Sequence, residues 1–259
     1  MTVRIGNNTR EWSSKEFSPE SPKYTEVGSK RCFGVELEFN TLSDNATDVE
    51  AISTFGAKYD CTVRGGEFYS PILFGDEGLT EVDKLCDFAV NNDWEAGRTA
   101  GYHLHLDMRG ETIDQLKTIA LGYHYTKAFW LGSVPSYRRS NEYSHNTRWG
   151  RSDLMSVRDK WDLREMSDTR YNWLNTYAYE DHQTFEVRCH EGVEAAFPVV
   201  AWVIAHTRFA DAMSELSVGK ITRMFGRKKP NEIFREIRAI LREPAVSEHL
   251  RDRYNQFSN

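Results

Sequence analysis

Three short segments of this chain alternate apolar and ionisable residues with a period of two, and in each the ionisable phase carries carboxylate, imidazole or guanidinium. Phe33 to Phe39 sets Val35, Leu37 and Phe39 against Glu36 and Glu38. Tyr102 to Asp107 sets Leu104 and Leu106 against His103, His105 and Asp107. Phe185 to His190 sets Phe185, Val187 and Cys189 against Glu186, Arg188 and His190. Side chains of a strand point alternately to opposite faces, so each segment predicts a strand with one apolar and one ionisable face. If the three share a sheet, the apolar faces must be covered by helices and the ionisable faces must coincide. Glu36, Glu38, His103, His105, Glu186 and Arg188 then crowd onto one surface. An ordinary solvated strand face carries Thr, Ser, Lys and mixed charges instead.

The intervening sequence supplies the covering helices. Leu79, Val82, Leu85, Cys86 and Ala89 recur at helical spacing, as do Ile113, Leu116, Ile119, Ala120 and Tyr123. A long apolar helix is predicted from about Glu194 to Leu216, with Pro198 in its tolerant first turns. Asn231 is read as the cap of a further helix carrying Ile233, Phe234, Ile237, Ile240 and Leu241, with Pro244 ending it. Val246, Leu250 and Tyr254 mark one more. A fourth strand is expected from Gly66 to Ile72. Long excursions rather than regular βα units separate the strands, which predicts an α+β domain with helices on one face of a mostly antiparallel sheet.

Residues 1–30 read as a polar N-terminal extension, irregular in part, and residues 31–259 as a single domain with a helical C-terminal part. An aromatic content of 13% and an apolar content of 39% give ample core and exclude a disordered chain. No apolar run is long enough to span a bilayer, and Met1 to Phe17 lacks the pattern of a signal or transit peptide. Cys32, Cys61, Cys86 and Cys189 form no C-x-x-C pair, so buried reduced thiols and a cytoplasmic setting are expected. Trp130, Trp149, Trp161, Trp173 and Trp202 are read as core or pocket walls. The net charge of −6 argues against a nucleic-acid coat, and Arg227, Lys228 and Lys229 are read as a solvated turn.

Crowded carboxylates repel one another unless a cation neutralises them, and a low-dielectric setting sharpens the repulsion. A carboxylate-rich face with imidazole suits Mg²⁺ or Mn²⁺, and an arginine beside such ligands suits a phosphoryl group in transfer. E-x-E, H-x-H and E-x-R each occur often without function. The weight rests on all three sharing one strand phase. The usual nucleotide loops are absent from the sequence: Gly219-Lys220 is followed by Ile221, and no strand leads into G-x-G-x-x-G. If ATP binds, metal ions and arginines must hold it.

Seven pieces, in order, resemble the amidoligase family, a branch of the glutamine synthetase and glutamate–cysteine ligase superfamily. They are Phe33 to Phe39; Asp60-Cys61-Thr62; Gly66 to Ile72; Gly101 to Leu106; Pro135 to Asn141; Arg170-Tyr171 with Asn175; and Phe185 to Arg188 with Glu191-Gly192. The family commonly reads Asp-Gly-Ser where this chain has Asp60-Cys61-Thr62. The resemblance implies a glutamine synthetase-type catalytic domain, a curved, mostly antiparallel sheet backed by helices. It implies an ATP-dependent carboxylate–amine ligase using Mg²⁺ or Mn²⁺ and working through an acyl phosphate. By motif, Glu36, Glu38, Glu67, His103 and Glu186 would be metal ligands. His105, Arg138, Arg139 and Arg188 would face the nucleotide phosphates, and the Arg138–Arg148 loop is a candidate lid. The chemical steps would fall to Arg188, Glu186 and Glu67.

Small-molecule or peptide carboxylates and amines are the expected substrates. Superfamily sites form within and between subunits, so a homo-oligomer stays open. A guanidino-kinase-type phosphotransferase on the same scaffold, a metal-dependent hydrolase or nuclease, and a binding protein without activity are the alternatives.

Overall fold

A computed structural model describes residues 2–5, 8–11, 28–42, 53–58, 63, 65–167 and 169–258 of the 259-residue chain. Asp60, Cys61, Thr62 and Arg64 lie outside the described residues, so the Asp60-Cys61-Thr62 piece has no structural counterpart here. Within the polar extension, β1 (Thr2–Ile5) and β2 (Asn8–Glu11) pair antiparallel.

The main sheet has six strands, all antiparallel, in the order β4-β5-β3-β6-β8-β7. These are β3 (Phe33–Phe39), β4 (Gly56–Lys58), β5 (Gly66–Tyr69), β6 (Gly101–Asp107), β7 (Leu174–Asn175) and β8 (Thr184–Glu191). The period-two segments thus become the three central strands, β3, β6 and β8. Their apolar phase, including Val35, Leu37, Leu104, Leu106, Phe185 and Val187, is buried.

Helices cover that face in two tiers. The inner tier is α1 (Gly75–Asn91), α2 (Ile113–Gly132) and α7 (Ala196–Ser214). α7 is apolar almost all round, as an interior helix must be, and packs against α1 and α2. The outer tier is α8 (Val218–Phe225), α9 (Pro230–Leu241) and α10 (Pro244–Phe257). α8 packs on α2, α9 on both α2 and α7, and α10 on α7. Between β6 and β8 run the short helices α3 (Ser136–Arg139), α4 (Arg151–Ser156), α5 (Lys160–Glu165) and α6 (Ala178–His182). The mixed α/β architecture with an antiparallel sheet agrees with the sequence reading.

Several local expectations are overturned. Asn231 is not the cap of α9. Pro230 takes the first helical position, where its missing N–H costs nothing, and Glu232 accepts from the Lys229 N–H at 2.9 Å. Pro244 likewise opens α10 rather than ending α9, which stops at Leu241 ahead of a left-handed Arg242. Trp161 is 55% exposed, against the expectation of a core position, and lies under the Arg164 guanidinium. The other four tryptophans of that reading, Trp130, Trp149, Trp173 and Trp202, are buried, as are the free thiols of Cys32, Cys86 and Cys189. Among the described residues no helix is long and apolar enough to cross a membrane.

Candidate metal and phosphate site

The register of the central strands brings the ionisable phases together. Glu36 of β3 pairs with His103 of β6, His105 of β6 with Glu186 of β8, and Glu38 with Glu67 of β5. His103 Nδ1 lies 3.1 Å from Glu36 Oε2 and 3.5 Å from Glu186 Oε1, and its Nε2 lies 3.8 Å from Glu38 Oε1. His105 Nε2 stands 3.5 Å from Glu36 Oε1 and 3.8 Å from Glu186 Oε1. Glu36, His105 and Glu186 each offer a ligand atom within 4.8 Å of the others, so one ion could be shared among them. The sequence reading gave the metal to His103 and the phosphates to His105. Both imidazoles reach Glu36 and Glu186, His103 at the shorter distances, and His105 completes a trio with them that could share an ion.

A β-bulge shapes the Arg188 side. Leu104 pairs with Val187 and Tyr102 with His190, so Arg188 and Cys189 both stand opposite the single residue His103. Arg188 keeps its place on the ionisable face, bonded to Glu186 Oε1 and donating through Nε to the Tyr143 carbonyl at 3.2 Å. The extra residue turns His190 to the opposite face, where it packs edge-on against Trp202 of α7. The strict alternation expected of this segment, which set His190 beside Glu186, is corrected accordingly.

The charges are mutually arranged. Burial opposes ionisation of Glu36, but hydrogen bonds from His103 and His105 outweigh it and hold the carboxyl well below its usual range. Burial likewise opposes ionisation of Glu186, and Arg188 with the two imidazoles wins. Burial disfavours the charged His105, yet Glu186 and Glu36 draw its pKa upward. Glu67 differs: burial, with Glu36 alongside, pushes its carboxyl up to about 9. Its partner is Lys58 of β4, whose Nζ lies 2.6 Å away, so the carboxyl already has a cationic neighbour.

Arginines and tyrosines close the far side of an open cleft of about 270 Å³. Arg138, 2% exposed, reaches across Gly101 and donates to the Arg188 carbonyl at 2.9 Å, while its Nε has no partner. A Cβ at residue 101 would lie 2.6 Å from that guanidinium, so a larger residue there would displace Arg138. Arg170 and Arg188 flank the Tyr171 ring at 4.9 and 5.8 Å. Arg139 does not line the cleft; its Nε donates to the Val134 carbonyl at 3.2 Å. The arginine pair expected on the phosphates therefore divides, Arg138 inward and Arg139 toward the preceding turn. The Arg138–Arg148 segment contains the fully buried Ser144 and is part of the wall.

Beyond His105 the cleft continues into a small apolar pocket of about 50 Å³, floored by β3 at Gly34 and walled by Tyr69 and Ile72. Asp107 and Arg109 at its edge are paired at 2.7 Å, so their charges satisfy each other. Comparison with family models, curated proteins and solved structures finds no match to this chain.

Proposed function

We propose that this chain is an ATP-dependent carboxylate–amine ligase with a glutamine synthetase-type catalytic domain. The observation that carries the reading is the succession along one sheet face. An apolar pocket gives way to a carboxylate–imidazole cluster, which gives way to guanidiniums. A metal-bound nucleoside triphosphate presents the same order of chemistry, apolar base, metal-bridged phosphates and a transferring anionic terminus. The donor set fits a hard divalent cation such as Mg²⁺ or Mn²⁺: carboxylate oxygens from Glu36 and Glu186 with one imidazole from His105. The buried, unpartnered Nε of Arg138 fits an anionic ligand in the cleft.

A carboxylate resists attack by amines because it is anionic and its oxygen leaves badly; ATP with its metal supplies phosphorylation, which removes both obstacles. The chain's own residues would then hold and orient. Glu36, His105 and Glu186 would bind the metal, with Glu38 and His103 completing its polar surround. Arg188 and Arg138 would stabilise charge on the phosphoryl group in transfer. Tyr143, Tyr171 and Tyr177, which line the cleft, would limit water at the activated acyl group.

The test is direct. Purified protein with ATP and Mg²⁺ should release ADP and phosphate only when a matching acid and amine are both present. ADP with a stable phosphorylated product would indicate a phosphotransferase instead. Hydrolysis without nucleotide would indicate a metal-dependent hydrolase.

A further inference from the structure

Glu186 has two carboxylate oxygens, and they meet different surroundings. Oε1 faces the cluster, next to Arg188 and within 3.5 Å of His103 and 3.8 Å of His105. Oε2 points away and accepts from Asn175 Nδ2 at 2.7 Å. Asn175 belongs to the two-residue strand β7 at the sheet edge, directly opposite Glu186, and is 3% exposed. Its amide has no freedom to flip. Oδ1 accepts the Ala178 backbone N–H at 3.3 Å, and that partner can only donate, so the NH₂ group must face Glu186. Glu38 is held in the same manner: the Gly101 N–H donates to Oε2 at 2.6 Å, while Oε1 lies toward His103.

We propose that Asn175 is a positioning residue that fixes one oxygen of Glu186 and presents the other to a divalent cation. A neutral donor is suited to this task. It restrains the carboxylate without cancelling the charge the cation needs, whereas a lysine, as on Glu67, would compete for it. With Oε2 held, Glu186 is a one-oxygen ligand of defined direction. The Glu186–Asn175 pair on one flank of β6 and Glu38–Gly101 on the other leave the site open on its cleft side. This inference rests on the metal reading above.

Mn²⁺ binding to the full chain, measured by calorimetry and by the electron paramagnetic resonance spectrum of the bound ion, separates the two. Asn175→Ala should weaken Mn²⁺ by about 10- to 100-fold and broaden its spectrum, because Glu186 is freed to rotate. Asn175→Ser keeps an oxygen for the Ala178 N–H but is too short to reach Glu186. It should preserve the fold and weaken the ion to a similar degree. Unchanged affinity and spectrum in a folded Asn175→Ser protein would overturn the positioning role while leaving the metal site standing. No saturable Mn²⁺ binding by the wild-type chain would overturn the metal reading and this inference with it.

Discussion

Lowering the pH from 7.5 to 5 should destabilise this protein through His190, by an amount the structure sets. The ring is fully buried between Tyr102 and Trp202. Its Nδ1 lies 2.8 Å from the Glu191 carbonyl oxygen, which requires an N–H there, and its Nε2 has no partner. Burial drives the pKa down to about 4, against help from the Glu191 carboxylate and with further opposition from Arg253 and Arg138. A histidine free in the unfolded chain titrates near 6.5. The unfolded state therefore takes up the proton first, and stability falls as pH drops below 6.5, levelling off below the folded pKa. By linkage the loss from this one ring is roughly 2 kcal/mol at pH 5 and roughly 3 kcal/mol at pH 4. His206, hydrogen-bonded to the Tyr123 hydroxyl at 2.9 Å and also pushed down by burial, adds to the loss. The raised pKa of His105 works the other way, its contribution being complete below 6.5 and fading above its folded pKa.

The comparison that isolates His190 is with His190→Asn, whose amide can still donate to the Glu191 carbonyl. Urea unfolding of both proteins between pH 7.5 and 5 should show the variant losing about 2 kcal/mol less than wild type over that interval. His105 is common to both and cancels, and burial, the larger influence on His206, acts in each. Parallel pH profiles would refute the claim that a neutral His190 is locked beneath the sheet.

Other expectations concern the cleft. Glu36→Ala and Glu186→Ala should each abolish acid- and amine-dependent ADP release, with circular dichroism spectra like wild type; full activity in either would sink the ligand assignment. Arg188→Gln should also be inactive, yet bind Mn²⁺ roughly tenfold more tightly without nucleotide, because a competing cation leaves Glu186 Oε1. Calorimetry showing weaker binding would contradict that competition. In Gly101→Ala the new methyl group would stand 2.6 Å from Arg138 and 3.1 Å from His103 Nε2. A loss in kcat/KM of about tenfold or more is expected, with a small change in melting temperature, since the nearest atoms belong to the end of a long side chain.

The central strands were legible because each carried a full period-two pattern, and the inner helices because their apolar stripes are long. The convergence of Glu36, His103, His105 and Glu186 followed from strand phase alone. What escaped the sequence was short or irregular. β7 has two residues and β4 three, too few for any periodicity, so neither Asn175 as a partner of Glu186 nor Lys58 as a partner of Glu67 could be read. The bulge at Arg188 and Cys189 adds a residue without any glycine or proline to mark it, which is why His190 was assigned to the wrong face. Nothing local distinguishes Arg138 from Arg139; only the space above Gly101 does.

That bulge also makes β8 a strand with two allegiances. Up to Arg188 its ionisable side chains serve the cleft, and at His190 the ionisable side chain serves the helical layer, so one surplus residue joins the chemistry of one surface to the packing of the other. Were all residues of β8 to pair regularly, without the bulge, Cys189 would stand opposite Tyr102 and His190 opposite Gly101, on the cleft face and away from Trp202. The bulge is therefore held from both sides of the sheet at once. A lesion that looks like lost activity and one that looks like a loosened core would here be the same event.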